Sequence, residues 1–133
     1  MSSFMPYARS HFRRSVKPLY EIYKKIGRVY CPALKTHVFF DKQGFSHFFY
    51  KGKSRNYKLR NHTVAWERVN CLPEVIRILR EKPVVRRTIR KDGTIFYIFL
   101  GYDSEVVVVE KEVEGLMRLP FFLSVFPLKS RRT

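Results

Sequence analysis

The hydrophobic period of this chain changes at Pro83 and divides it into a helical first half and a strand-rich second half. Before Pro83, apolar residues recur every three or four positions, which is typical of amphipathic helices. After it, short apolar runs such as Ile95–Leu100 are separated by turn residues. Strands that follow one another so closely pair antiparallel. The pattern predicts a single α+β domain in which N-terminal helices pack on an antiparallel β-meander of about four strands.

Cap and turn residues divide the two halves into shorter segments. Serine and aspartate favour helix N-caps, proline favours the first helical turn, and glycine favours helix ends. On these signals, helices are expected from Ser15 to Gly27, from Asp41 to Tyr50, from Ser54 to Asn70 or Cys71, and from Pro73 to Pro83. Strands are expected over residues 36–40, 84–91, 94–100, 105–111 and 117–126. Asp92-Gly93 is typical of a hairpin turn.

The composition is that of a folded domain. Hydrophobic residues make up 45% and aromatic residues 16% of the 133 residues, more than disordered basic tails contain. We expect one domain over residues 15–128, a flexible segment over residues 1–14 and a basic tail over residues 129–133. The chain has no apolar run of signal-peptide or membrane-span length, which predicts a cytoplasmic protein without a membrane partner.

The charge gives the clearest indication of a partner. Lys and Arg number 27 against 11 Asp and Glu, so the net charge is +16. This surplus creates a long-range positive potential, and nucleic acid is the commonest cellular polyanion. RNA or DNA is therefore the expected partner. Charge alone does not separate an enzyme from a structural RNA-binding protein.

The acidic residues argue against metal-dependent chemistry. Two-metal nucleases need carboxylates that converge from different elements. Here four of the 11 acids, Glu105, Glu110, Glu112 and Glu114, fall on one predicted strand and its turn. We interpret them as a solvated sheet edge that discourages aggregation. No metal and no cofactor is expected.

Metal-independent RNA cleavage remains chemically open. RNA carries its own nucleophile, the 2′-OH, so the protein needs only a proton acceptor, a proton donor and cations near the phosphate. His47 lies one helical turn before Lys51, and Lys53 and Arg55 follow directly. The alternative is that His47 packs beside the neighbouring phenylalanines and that the cations form a solvated helix end.

Four segments resemble a known family. They are residues 41–50 (DKQGFSHFFY), the cations of residues 51–55, residues 69–73 (VNCLP) and residues 122–126 (FLSVF). Together they resemble the barnase/EndoU/colicin/RelE-like (BECR) ribonuclease superfamily, and within it uncharacterised bacterial members associated with phages and small genomes. The resemblance covers roughly residues 30–128. It implies helices packed on a strongly curved antiparallel sheet and RNA cleavage without metal.

The resemblance also implies roles for individual residues. His47 would act as acid or base, Lys51 or Arg55 would bind the phosphate, and Ser124 would supply a positioning hydroxyl on the last strand. From its sequence context, Ser124 can equally bond a neighbouring backbone group. The second proton-transfer residue is left unassigned.

Further basic residues are expected to bind RNA: Lys53, Lys58, Arg60, Arg86, Arg87 and Arg90. Arg86 and Arg87 must face opposite sides of a regular strand. The expected function is a metal-independent endoribonuclease, toxin-like or RNA-processing. A non-catalytic RNA-binding or ribosome-associated protein is the alternative. A third reading is an interaction module whose charge docks an acidic antitoxin or immunity protein.

Overall fold

A computed structural model describes the backbone of residues 6–51, 58–59 and 62–128, and the side chains of residues 16–50 and 64–128. The described part of the chain is α+β. Its helices are α1 (Pro6–Ile26), α2 (Lys42–Phe49), α3 (His62–Asn70) and α4 (Leu72–Glu81). Its strands are β1 (Arg28–Cys31), β2 (Thr36–Phe39), β3 (Tyr50–Lys51), β4 (Lys58–Leu59), β5 (Val84–Ile89), β6 (Ile95–Leu100), β7 (Ser104–Val113) and β8 (Met117–Pro127).

The main sheet has six strands in the order β1-β2-β8-β7-β6-β5, and is mixed. Strands β5 to β8 form the predicted antiparallel meander. The β1–β2 hairpin extends it, because β2 pairs parallel with β8 through Phe39 and Phe121. The sheet therefore has six strands and one parallel pair, and the predicted antiparallel meander is its β5–β8 part. Periodicity could not show that a hairpin preceding three helices joins the same sheet.

The first helix begins earlier than expected. α1 starts at Pro6, not at Ser15, and Pro18 lies inside it. A proline inside a helix lacks the backbone N–H that would donate a hydrogen bond, and its ring crowds the preceding turn. Pro18 was therefore expected in the first turn of the helix, where proline is tolerated. The backbone of residues 6–14, which we expected to be flexible, is part of this helix. Residues 1–5 and the basic tail at 129–133 lie outside the described residues.

The third helix begins later than expected. Lys58 and Leu59 form β4 and pair antiparallel with Lys51 and Tyr50, and α3 starts at His62. The predicted start was wrong because Leu59 fits the three- and four-residue spacing of the apolar residues in α3. This spacing does not show that Leu59 pairs with Tyr50 in a strand. The end of α3 and the position of α4 agree with the prediction.

The acidic strand is also placed differently. β7 lies between β6 and β8, so Glu105 and Glu110 belong to an interior strand of the sheet and not to a solvated edge. The interpretation as an edge was wrong because it rested on the clustering of four acids along one strand and its turn, and clustering does not show which strands pair on either side. Four consecutive valines in the same strand are buried instead, as suits a central strand.

Helices α2, α3 and α4 cover one face of the sheet and bury the core there. α2 and α3 pack on β8, and α4 packs on β1, β6 and β7. Directly opposed pairs on this face, Val106 with Val125 and Val108 with Phe122, are almost fully buried. Side chains two residues apart in a strand share a face. Residues at further two-residue intervals along β7 and β8 from Val108 and Phe122 therefore also lie on the helix side of the sheet.

Candidate nucleic-acid interface

α2 carries His47 and is fixed tightly to the sheet. Asp41 caps the helix, because its side chain accepts a hydrogen bond from the Gly44 backbone N–H at 3.1 Å. The Tyr23 hydroxyl donates to the Asp41 carbonyl at 2.7 Å. Gly44 lies so close to Phe122 that a Cβ atom there would overlap the Phe122 main-chain oxygen. The helix that carries the half-buried His47 therefore has a well-defined position against β8.

Among the predicted site cations that follow α2, the structure describes the backbone of Lys51 and Lys58. Lys51 and Lys58 are direct partners in the β3–β4 pairing, so their Cα atoms lie opposite each other on neighbouring strands. Lys53, Arg55 and Arg60 lie outside the described residues. The expected convergence of His47 with Lys51 and Arg55 stays a prediction.

Ser124 is buried on β8 and bound to an arginine from α3. Arg68 donates from Nη1 to Ser124 Oγ at 3.2 Å and to the Val125 carbonyl at 2.9 Å. Its guanidinium also lies 4.4 Å from the centre of the Phe126 ring. Arg68 is only 8% exposed. This contact joins α3 to the same strand on which α2 packs.

Arg68 was missing from the sequence-based set of candidates, although a signal for it exists. It lies three residues after Ala65, which is fully buried, and so it falls on the buried side of α3. An arginine on the apolar side of a helix needs a hydrogen-bonding partner in the core. Ser124, a lone hydroxyl in an apolar strand, is the kind of partner that this rule predicts.

A second polar cluster lies on the sheet and joins Arg87, Tyr97, Glu110 and Arg118. The Tyr97 hydroxyl donates to Glu110 Oε1 at 2.8 Å. Arg118 donates from Nε to Glu110 Oε2 at 2.9 Å and from Nη2 to the Gly93 carbonyl at 2.7 Å. Arg87 is the direct partner of Tyr97 in the β5–β6 register. We call these four residues the strand cluster.

The electrostatics of the strand cluster favour an ionised carboxylate beside a protonated phenol. The hydrogen bond from Arg118 is the main reason that the pKa of Glu110 is lowered, and the hydrogen bond from Tyr97 and the charges of Arg118 and Arg87 act in the same direction. Burial raises the pKa of Tyr97, and its bond to Glu110 raises it further. The Glu110 side chain is still 23% exposed, so a ligand can reach it.

The strand cluster lies on the helix side of the sheet. Glu110 lies two residues after the core residue Val108. It pairs with Pro120, which lies two residues before Phe122. These positions share the face on which the helices pack. Lys111, next to Glu110, binds Asp41 Oδ2 at 3.0 Å and Gln43 Oε1 at 2.6 Å. Lys111 itself projects from the opposite face, beside Phe121, so these bonds tie the start of the His47 helix to β7 and not to the cluster.

The hairpin arginines divide between the two faces of the sheet. Arg87 belongs to the strand cluster, whereas its neighbour Arg86 pairs with Ile98 and projects from the opposite face. Arg90 places its guanidinium 4.5 Å from the centre of the Phe96 ring. All three arginines are exposed. They can contact a polyanion, but a single strand of RNA lying on one face would not use them equally.

Within the described residues, no group of three or more His, Cys, Asp or Glu side chains could hold a metal ion. Within the same residues, no helix is both long and apolar enough to cross a bilayer. No protein-family model, curated protein or solved structure matches this chain.

Proposed function

We propose that this chain is a cytoplasmic RNA-binding protein that cleaves RNA without metal, and that it belongs with the BECR ribonucleases that its motifs resemble. The observation that supports this most strongly is the strand cluster. It combines a carboxylate, a phenol and two guanidinium groups within hydrogen-bonding reach on an accessible part of the sheet. These are the groups that metal-free cleavage of RNA needs.

In this proposal each residue of the cluster has a chemical role. Glu110 is held ionised by Arg118 and accepts the proton of the attacking 2′-OH. Arg118 and Arg87 lie where they can neutralise the negative charge that develops on the phosphate in the transition state. Tyr97 stays protonated, because its pKa is raised, and it holds the Glu110 carboxylate in position. The products would be a cyclic phosphate or 3′-phosphate and a 5′-OH.

His47 is proposed as the second proton-transfer residue. An imidazole changes its charge near neutral pH and can give a proton to the departing 5′-oxygen. One observation supports this role: its helix packs on β8, on the side of the sheet that carries Glu110, and is held there through the close approach of Gly44 to Phe122. The Arg68–Ser124 contact holds the adjoining α3 on the same strand.

The test is incubation of the purified protein with RNA in EDTA, followed by analysis of the product ends. We expect 5′-OH products from RNA and none from DNA, which lacks the nucleophile. Both His47→Ala and Glu110→Gln should lower the rate by roughly 10²- to 10⁴-fold, as expected for loss of a general acid or base. RNA affinity should change little.

Matched variants control for nonspecific damage. His37→Ala removes another half-buried histidine, and Glu112→Gln removes an exposed acid from the same strand as Glu110. Both should cleave at the parent rate. A His47→Ala or Glu110→Gln protein that does the same would refute the role assigned to that residue.

A non-catalytic RNA-binding protein is the second candidate. The stacking of Arg90 on Phe96 favours it, because an exposed cation above an aromatic ring is a surface on which nucleobases also stack. Tight RNA binding without 5′-OH products, in EDTA and with added Mg²⁺, would decide for this candidate.

A further inference from the structure

A groove between α1 and α2 has features that neither the strand cluster nor the basic hairpin explains. Its volume is about 460 Å³, within the range of small-ligand sites. Tyr20 lines it from α1, and Phe45 and Phe49 line it from α2. The exposed Tyr50 lies at the end of α2 and completes the aromatic lining. Half of the eight residues that line the groove are therefore aromatic.

The aromatic rings are held in place by packing against one another. The ring centres of Tyr20 and Phe45 are 4.9 Å apart, and those of Phe45 and Phe49 are 5.3 Å apart. Phe45 and Phe49 are also part of the buried core. Tyr50 is 38% exposed and is thus available to a ligand. The two buried phenylalanines back the groove, and Tyr20 and Tyr50 are the rings that a ligand can reach.

The polar groups around the groove carry positive charge. Lys17 and Lys42 are exposed and belong to the lining. Lys24 lies 5.1 Å from the centre of the Tyr20 ring, on the same helix. None of the eight described residues that line the groove is acidic. The Ser46 hydroxyl adds a hydrogen-bonding group. An occupant with a flat unsaturated ring and adjacent negative charge fits this arrangement.

We propose that the groove binds one unpaired nucleobase of single-stranded RNA, with the flanking phosphates on Lys17 and Lys42. This inference rests on the proposed function, which makes RNA the substrate. Unstacked bases of RNA commonly bind on aromatic side chains, and the backbone follows nearby cations. Ser46, in the lining, directly precedes His47 on α2. A base in the groove would fix the register of the strand relative to that helix.

The test compares two labelled oligonucleotides of equal length and charge by fluorescence anisotropy. One is a single-stranded RNA, and the other is the same backbone with abasic sites. The readout is the ratio of their dissociation constants. We expect the parent protein to prefer the RNA that carries bases. Tyr50→Ala should reduce this preference by roughly 5- to 100-fold, the range for the loss of one stacked base.

A second variant guards against a folding defect in the first. Ser46→Leu fills the groove and keeps every aromatic ring, and it should reduce the preference in the same way. Tyr102→Ala removes an exposed tyrosine far from the groove in sequence, and Lys25→Ala removes an exposed cation from α1 that is not in the lining. Both controls should leave the ratio unchanged.

Two results would overturn the inference. One is an equal preference in the parent, Tyr50→Ala and Ser46→Leu proteins. The other is saturable binding of a fatty acid that Ser46→Leu abolishes, together with equal binding of the two oligonucleotides, which would assign the groove to a lipid. If the protein cleaves RNA in EDTA but binds the two oligonucleotides equally, the base-binding role of the groove is refuted and the proposed catalysis is not. If it prefers the RNA that carries bases but does not cleave it, the proposed catalysis is refuted and the base-binding role of the groove is not.

Discussion

Arg68 Nη1 lies 3.2 Å from Ser124 Oγ, and this hydrogen bond joins α3 to β8 inside the protein. The same nitrogen donates to the Val125 carbonyl, and the guanidinium covers the Phe126 ring. A charged group in the core is tolerated only when hydrogen bonds replace its hydration. The serine hydroxyl is therefore part of what keeps Arg68 in place.

The first prediction concerns this contact. Ser124→Ala should lower the free energy of unfolding by about 1.5–3 kcal/mol, because a hydrogen bond to a charged group is lost in the core. Arg68→Met keeps the length of the side chain and removes the charge. If the two residues act through one another, the double variant should lose less stability than the two single variants together. The measurement is urea denaturation of all four proteins. Additivity within about 0.5 kcal/mol would contradict the coupling.

The second prediction concerns the close approach of α2 to the sheet. Gly44→Ala places a methyl group against the Phe122 main-chain oxygen, which cannot move aside without displacing β8. Overpacking of this kind costs about 1–3 kcal/mol. Thermal unfolding should show the loss directly. Ser46→Ala on the same helix, which removes only a hydroxyl, is the control and should stay within about 0.5 kcal/mol of the parent. Equal stability of the two variants would refute the tight contact.

The third prediction is the pH dependence of the strand cluster. The pKa of Glu110 is lowered from its ordinary 4.5, chiefly by the hydrogen bond from Arg118. The folded state therefore favours the ionised form. Its contribution to stability is complete above pH 4.5 and is lost as the pH falls through the lowered pKa. Glu110→Gln should be less stable than the parent by about 1 kcal/mol at pH 6, and the difference should shrink below pH 4.5.

Urea denaturation of both proteins from pH 6 to pH 3 measures this difference. Glu112→Gln is the control, because it removes a charge two residues away on the same strand. A gap between the parent and Glu110→Gln that stays constant over the whole range would show that the carboxylate charge does not stabilise the fold.

The strands of the second half were predictable because local signals agree there. Apolar runs of strand length flank Asp92-Gly93, and the structure has a turn at this point, with Gly93 at a φ of +89° and the Thr94 N–H bonded to Asp92. The short α2 helix was also predicted, since Asp41 is its N-cap. In both cases the deciding interactions lie within a few residues of each other.

The strand pairings that the sequence did not predict depend on contacts outside the local sequence. The pairing of Phe39 with Phe121 and that of Lys51 with Lys58 depend on residues far apart or on strands too short to leave a period. The candidate site shows the same limit. Arg68 and Ser124 are separated by 56 residues, and the role of Glu110 depends on strands that lie on both sides of it. Sequence patterns therefore missed Arg68, Tyr97 and Arg118 as site residues, because their contacts form only when distant segments meet in the fold.

The last prediction uses neighbouring arginines to locate the RNA. Arg87 belongs to the strand cluster on the helix side of the sheet, and Arg86 carries the same charge on the opposite face. With a net charge of +16, the affinity for single-stranded RNA should fall steeply as salt rises, because binding releases counterions. If the RNA lies across the strand cluster, Arg87→Ala should lower the slope of log K against log salt by about 0.7. Arg86→Ala should leave the slope almost unchanged. Equal changes of the slope in the two variants would show that RNA binds at the hairpin edge and not on the helix side. A flat salt dependence of the parent protein would remove the electrostatic basis for RNA binding.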